Sequence, residues 1–228
     1  MAVPDATPVS RPFKPRRLFD ELISFHGRQH WWPGDSRFEV AIGAILVQRT
    51  SWRNAEAAIA ALRSAALLDR HALCRAPLSD LEVHVRPAGF YRQKAKTAQR
   101  FADWLDRAGG FRTLATFPTP EVRKGLLSVR GIGPETADCI LLYALERPVF
   151  IVDAYARRIL ARVGSRPDAA RLRYEALQAW IEERLGADAN FYNEFHALLV
   201  AHGQSLCRPR PDCGACPLAG ECAYDGVG

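Results

Sequence analysis

The chain has 228 residues, 48% of them hydrophobic and 25% charged, the balance of a globular protein with a buried core rather than a disordered one. Thirty-one Lys and Arg against 25 Asp and Glu give a net charge of +6, which suits a polyanionic partner without requiring one. No apolar run approaches the roughly 20 residues of a membrane helix, and the opening segment MAVPDATPVSRPFKPRR has no apolar centre, so the reading expects a cytoplasmic, nucleoid-associated protein.

Residues 1–12 are Pro-rich and read as a flexible N-terminus. Helical periodicity then runs through nearly the whole chain. It predicts helices at about 16–26, 38–48, 52–64, 78–84, 92–107, 119–129, 134–146, 153–163, 168–185 and 189–204. In 134–146, for example, Ala137, Ile140, Leu141 and Ala144 share one helical face. Gly- and Pro-containing segments punctuate the gaps, among them WWPGD, RPAGF, FPTP and GIGP. The run VFIV at 149–152 is too short and isolated to imply a sheet. The expected fold class is all-α.

Three features carry chemistry. In LLSVRGIGPETADCILLYAL, Gly131-Ile132-Gly133 separates two helices and Pro134 opens the second. Two glycines permit a tight turn with outward N–H groups, and Ile132 anchors it; beside a helix N-terminus such groups attract phosphate. This is a helix-hairpin-helix, a sequence-independent grip on a DNA strand. Next, the apolar run after Pro148 ends at Asp153, which opens a helix. That placement is a common N-cap, and also a way to hold a carboxylate ionised. Finally, Cys207-x5-Cys213-x2-Cys216-x5-Cys222 puts four thiols in a single loop, whereas Cys74 and Cys139 read as small buried apolar residues. The compact spacing suits a [4Fe–4S] cluster, with zinc as the alternative. Arg208 and Arg210 on the same loop are candidate phosphate contacts.

The order hairpin, helix-opening Asp, four-cysteine loop resembles the helix-hairpin-helix (HhH-GPD) DNA glycosylases, specifically their endonuclease III-like branch. The resemblance covers roughly residues 15–225, and its one departure is a first cysteine gap of five residues where the family usually has six. It implies two helical domains with DNA in the cleft between them. About 36–147 would be a six-helix barrel carrying the hairpin at about 119–146, and 13–35 with 148–228 the cluster domain. It implies double-stranded DNA with a damaged base or abasic site as partner, and a monomer. Asp153 matches the family's catalytic carboxylate, which would stabilise the oxocarbenium-like sugar left by the departing base.

Members with strand-cleaving activity carry a lysine in G-h-G-x-K-T-A; Glu135 stands there in this chain and cannot form a Schiff base. The expectation is a monofunctional glycosylase with weak or absent lyase activity. A bifunctional enzyme using another amine and a catalytically silent iron–sulfur DNA-binding protein are the alternatives; a zinc-dependent nucleic-acid module is a further one. Gln48 matches the residue that enters the vacated base stack. Trp31, Trp32, Trp52 and Tyr155 are candidate walls of the base pocket. The WWP segment and the non-lysine hairpin resemble the 3-methyladenine type, whose cationic alkylated purines suit stacking and cation–π attraction. Lys94, in GFYRQKAKTAQR, takes the family's lysine position and is a candidate phosphate contact.

Overall fold

The computed structural model describes residues 14–32 and 34–224; the expected loose segment 1–12 and Pro33 of the WWP segment lie outside the described residues. The chain divides into two compact units, Met1–Trp31 with Phe150–Gly228, and Trp32–Val149. α1 (Pro15–His26) belongs to the first unit. The second unit holds α2 (Arg37–Leu46), α3 (Trp52–Ser64), α4 (Arg70–Arg75), α5 (Leu78–Val85), α6 (Tyr91–Arg107), α7 (Gly110–Leu114), α8 (Thr119–Ser128) and α9 (Pro134–Cys139). A π turn, Ile140–Ala144, continues α9. The chain then returns to the first unit with α10 (Ala154–Arg162), α11 (Tyr174–Leu185) and α12 (Ala189–Ser205). No β-strand occurs among the described residues.

In the second unit, α2 is the central element. Ser36 caps it by accepting the Glu39 N–H, and every residue from Phe38 to Leu46 is buried. A helix buried on all sides has to be wrapped by others. α6 supplies one wall through Ala95, Ala98, Phe101, Ala102 and Leu105, a stripe at helical spacing, with Phe101 stacked on Phe38 at 6.2 Å. In the first unit, the buried face of α12 carries Tyr192, Phe195 and Leu199. Phe19 of α1 packs on Phe195, and Phe150 reaches both Tyr192 and Phe195 at under 6 Å between ring centres. Burying an aromatic ring of this kind contributes roughly 1.5–3 kcal/mol.

Three details depart from the sequence reading. α4 and α7, six and five residues long, were not anticipated. They are too short for periodicity to register; α4 forms because Asp69 caps it, accepting the His71 and Ala72 N–H groups. Residues 168–173 are turns, not the start of α11, because the Arg157 guanidinium reaches across and donates to the Ala169 and Leu172 carbonyls at 2.9 and 2.7 Å. These bonds hold carbonyls that a helix would have used internally.

Candidate active site and cysteine loop

The hairpin is built on α8 and α9. Arg123 of α8 donates to both carboxylate oxygens of Asp138 in α9, at 2.7 and 3.0 Å, and Asp138 has no exposed surface. A bidentate pair of this kind fixes the angle of the two helices. The turn between them shows two unlike glycines. Gly131 has φ +106, and a β-carbon there would collide with Thr97 of α6. Gly133 is extended, and a β-carbon there would meet nothing. Neither φ nor packing requires glycine at Gly133. Ile132 is 6% exposed and anchors the turn, its N–H bonded to the Val129 carbonyl. Glu135 lies exposed in the first turn of α9.

Gln48, just past α2, donates from its amide nitrogen to the Gly131 carbonyl (3.1 Å) and the Thr136 hydroxyl (2.8 Å). It ties α2 to the hairpin. The sequence reading missed its neighbour. Phe90 is 66% exposed in the left-handed region (φ 45), and Arg49, also left-handed (φ 54), lies over its ring at 5.5 Å. A bulky aromatic residue in this region is uncommon. The available signal was an aromatic at the N-cap position of α6, where Ser, Thr, Asp or Asn is usual.

The expectation for Lys94 is corrected. Its side chain turns inward, 3% exposed, and the ammonium donates to the Leu46 and Ala88 carbonyls at 2.8 and 2.7 Å. Burial pushes its pKa down to about 8. It closes the end of α2 instead of meeting phosphate.

Of the expected pocket aromatics, Trp32 and Trp52 come together, edge to face at 4.9 Å, and Tyr143 of the π turn lies beside Trp32 at 4.9 Å. Tyr143 was not anticipated; the π turn sets its direction, which regular α-helical counting does not give. Trp31 and Tyr155 belong to the other unit. Tyr155 packs on Gly203 of α12, its hydroxyl 3.5 Å from the Gln204 amide.

Asp153 is 9% exposed and caps α10; Oδ1 accepts the Ala156 N–H at 2.7 Å. Oδ2 faces His196 Nε2 of α12 at 3.5 Å. The cap spends one carboxylate oxygen on the backbone and leaves the other facing α12.

The four cysteines line one pocket, together with Arg162 and His202. Burial pushes the Cys216 and Cys222 thiols up from their ordinary value, so a cationic centre is needed to hold them as thiolates. Among the described residues, no three His, Cys, Asp or Glu are grouped to hold a single metal ion. Four soft donors around one shared cavity fit a larger, thiolate-bound cluster. Arg158 donates to the Cys207 and Gly203 carbonyls at 2.7 and 3.0 Å. Arg162 donates to the Arg208 and Pro209 carbonyls and lies 3.5 Å from Cys207 Sγ. The helix that Asp153 opens therefore also holds the cysteine loop. The Arg208 and Arg210 side chains are exposed on it.

The pattern described as HhH-GPD superfamily base excision DNA repair protein matches residues 42–183. The chain belongs to that superfamily. The matched span contains the hairpin and Asp153. A candidate DNA repair glycosylase of Methanocaldococcus jannaschii, MJ1434, is 38% identical over 209 residues, covering 90% of this chain and 94% of the relative. Among solved structures, the Helicobacter pylori 3-methyladenine DNA glycosylase MagIII, bound to 1,N6-ethenoadenine, has a TM-score of 0.73 at 25% identity. The match covers 84% of this chain and 98% of that one. A non-covalent endonuclease III–DNA complex has a TM-score of 0.76 at 23% identity, covering 91% and 92%, a likeness of fold. No helix among the described residues is long and apolar enough to cross a membrane.

Proposed function

We propose that this protein is a monofunctional DNA N-glycosylase that flips a damaged base from duplex DNA and hydrolyses its glycosidic bond. The observation that carries the reading is the pairing of a buried, capped carboxylate at Asp153 with an acid, Glu135, at the hairpin position where lyases of this superfamily hold lysine. As the bond from the sugar C1′ to the base breaks, the base leaves with the electron pair and positive charge develops on the sugar. The Asp153 carboxylate stabilises that charge, orients the water whose oxygen bonds to C1′ and takes up the proton that water releases. The bare turn at Gly131–Gly133 grips the phosphate backbone. Phe90, with Gln48 beside the hairpin, fills the gap left by the flipped base. Arg208 and Arg210 add phosphate contacts.

The Trp32–Trp52–Tyr143 cluster supports an electron-poor base as substrate. A cationic alkylated purine gains from stacking on electron-rich rings, about 0.5–2 kcal/mol per good cation–π contact. The 3-methyladenine glycosylase with its bound ethenoadenine supports the same class.

Cys207, Cys213, Cys216 and Cys222 would hold a [4Fe–4S] cluster. When bound, it would supply a rigid cationic core that holds the four thiolates and orders the loop around it. Arg162, which donates to Cys207 Sγ, would donate toward it, and His202 lies beside Cys216 Sγ.

The test is single-turnover excision from duplexes carrying an alkylated purine, an oxidised pyrimidine or uracil, with Asp153→Asn in parallel. Excision of the alkylated purine by the parent protein and a loss of at least about 10³-fold in the variant are expected. Undiminished excision by Asp153→Asn would remove Asp153 from the mechanism.

A further inference from the structure

The segment Phe150-Ile151-Val152 delivers the chain to Asp153, and its three residues are 0, 0 and 1% exposed. It is neither helical nor paired in a sheet. Buried backbone must find hydrogen-bond partners, and here they come from one helix. Glu182 Oε1 accepts the Phe150 N–H at 2.8 Å. Gln178 Nε2 donates to the Phe150 carbonyl at 2.7 Å. The Tyr174 hydroxyl accepts the Val152 N–H at 3.3 Å.

The three side chains stand at i, i+4 and i+8 of α11, a single stripe along it. In an extended segment, residues two apart present their N–H and C=O groups to the same edge. The stripe therefore occupies the edge that a neighbouring strand would take in a sheet. Leu177 and Ile181, alternating with the stripe on α11, are fully buried and fix the helix in place. A run of apolar residues that reads as an orphan strand is thus completed by polar side chains 22 to 32 residues downstream.

We infer that Tyr174, Gln178 and Glu182 are positioning residues that set the register of Asp153 at the start of α10. The inference rests on the reading of Asp153 as the catalytic carboxylate. None of the three touches substrate in this scheme; they act through the backbone. A displacement of the carboxylate by about 1 Å is enough to cost on the order of 100-fold in rate.

The experiment compares Tyr174→Phe, Glu182→Leu, Glu182→Gln and Asp153→Asn in the full-length protein. It measures the single-turnover excision rate and the Kd for an uncleaved alkylated-purine duplex separately. Amide hydrogen exchange at Phe150 and Val152 is followed in the same proteins. Asp153→Asn is expected to be inactive. Glu182→Leu is expected to lose about 100-fold in rate with Kd within about threefold, and to exchange faster at Phe150. Tyr174→Phe, which removes one oxygen and keeps the ring, loses less and exchanges faster at Val152. Glu182→Gln keeps an acceptor oxygen and restores most of the rate.

Rates unchanged in Tyr174→Phe and Glu182→Leu, with Asp153→Asn inactive, would overturn the positioning role and leave the catalytic reading intact. So would loss of rate and binding in equal proportion without rescue by Glu182→Gln. Full activity in Asp153→Asn would overturn the reading of Asp153 itself, whereas unchanged exchange at Phe150 and Val152 in the variants would overturn the backbone restraint.

Discussion

The hairpin clamp gives a prediction whose size follows from burial. Arg123→Met keeps the length of the side chain and removes the guanidinium from Asp138. Asp138 has no solvent exposure, and Arg123 meets both of its oxygens within 3.0 Å. Removing one partner of a buried pair costs roughly 3–5 kcal/mol, because the remaining charge has lost the guanidinium that met both of its oxygens. At about 2–4 °C per kcal/mol for a chain of this size, the melting temperature should fall by roughly 6–20 °C. The double variant Arg123→Met/Asp138→Leu removes both charges, and replacing a buried pair by apolar groups is often neutral or stabilising. It should recover most of the loss. Thermal and urea unfolding measure all three proteins. A loss below about 1 kcal/mol in Arg123→Met, or a double variant less stable than the single, would refute the reasoning.

Lys94→Met leaves the Leu46 and Ala88 carbonyls without their donor and should cost about 2–4 kcal/mol by unfolding. The Lys94 pKa is depressed to about 8, so between pH 8 and about 10.4 the unfolded chain binds the extra proton; stability conferred by Lys94 relative to Met should therefore rise with pH across that window and be flat below it. Phe90→Ala should slow excision by at least about tenfold and change stability by less than about 0.5 kcal/mol, because the ring is exposed; excision at the parent rate would remove it from base flipping. Protein purified without oxygen should be brown and hold about four irons per chain, and chelation should lower the melting temperature of the first unit. A colourless protein with one zinc would contradict the cluster assignment.

Long helices with strong periodicity were legible in the sequence: α6 and α12 fall within a residue of their expected bounds. So were the hairpin turn and the helix-opening place of Asp153, since Gly, Pro and Asp carry local backbone requirements. What was not legible depends on long-range partners. Lys94 reads as a surface charge in its own helix, and only the Leu46 and Ala88 carbonyls explain why it points inward. Residues 168–173 carry helical periodicity, yet Arg157 takes their carbonyls. Tyr143 and Phe90 depend on a π turn and a left-handed residue, neither of which periodicity encodes. The Tyr174–Gln178–Glu182 stripe looks like a solvated helix face until the buried segment it serves is in view.

The central claim is hydrolysis without lyase chemistry, and it is tested most directly by counting strand breaks in an alkylated-purine duplex with and without hot alkali, alongside borohydride trapping. The account predicts breaks only after alkali and no trapped covalent adduct, because Glu135 offers no amine and Lys94 is committed to two carbonyls. Breaks before alkali, or a protein–DNA adduct surviving denaturation, would mean that another amine attacks the sugar, and the monofunctional reading would be wrong.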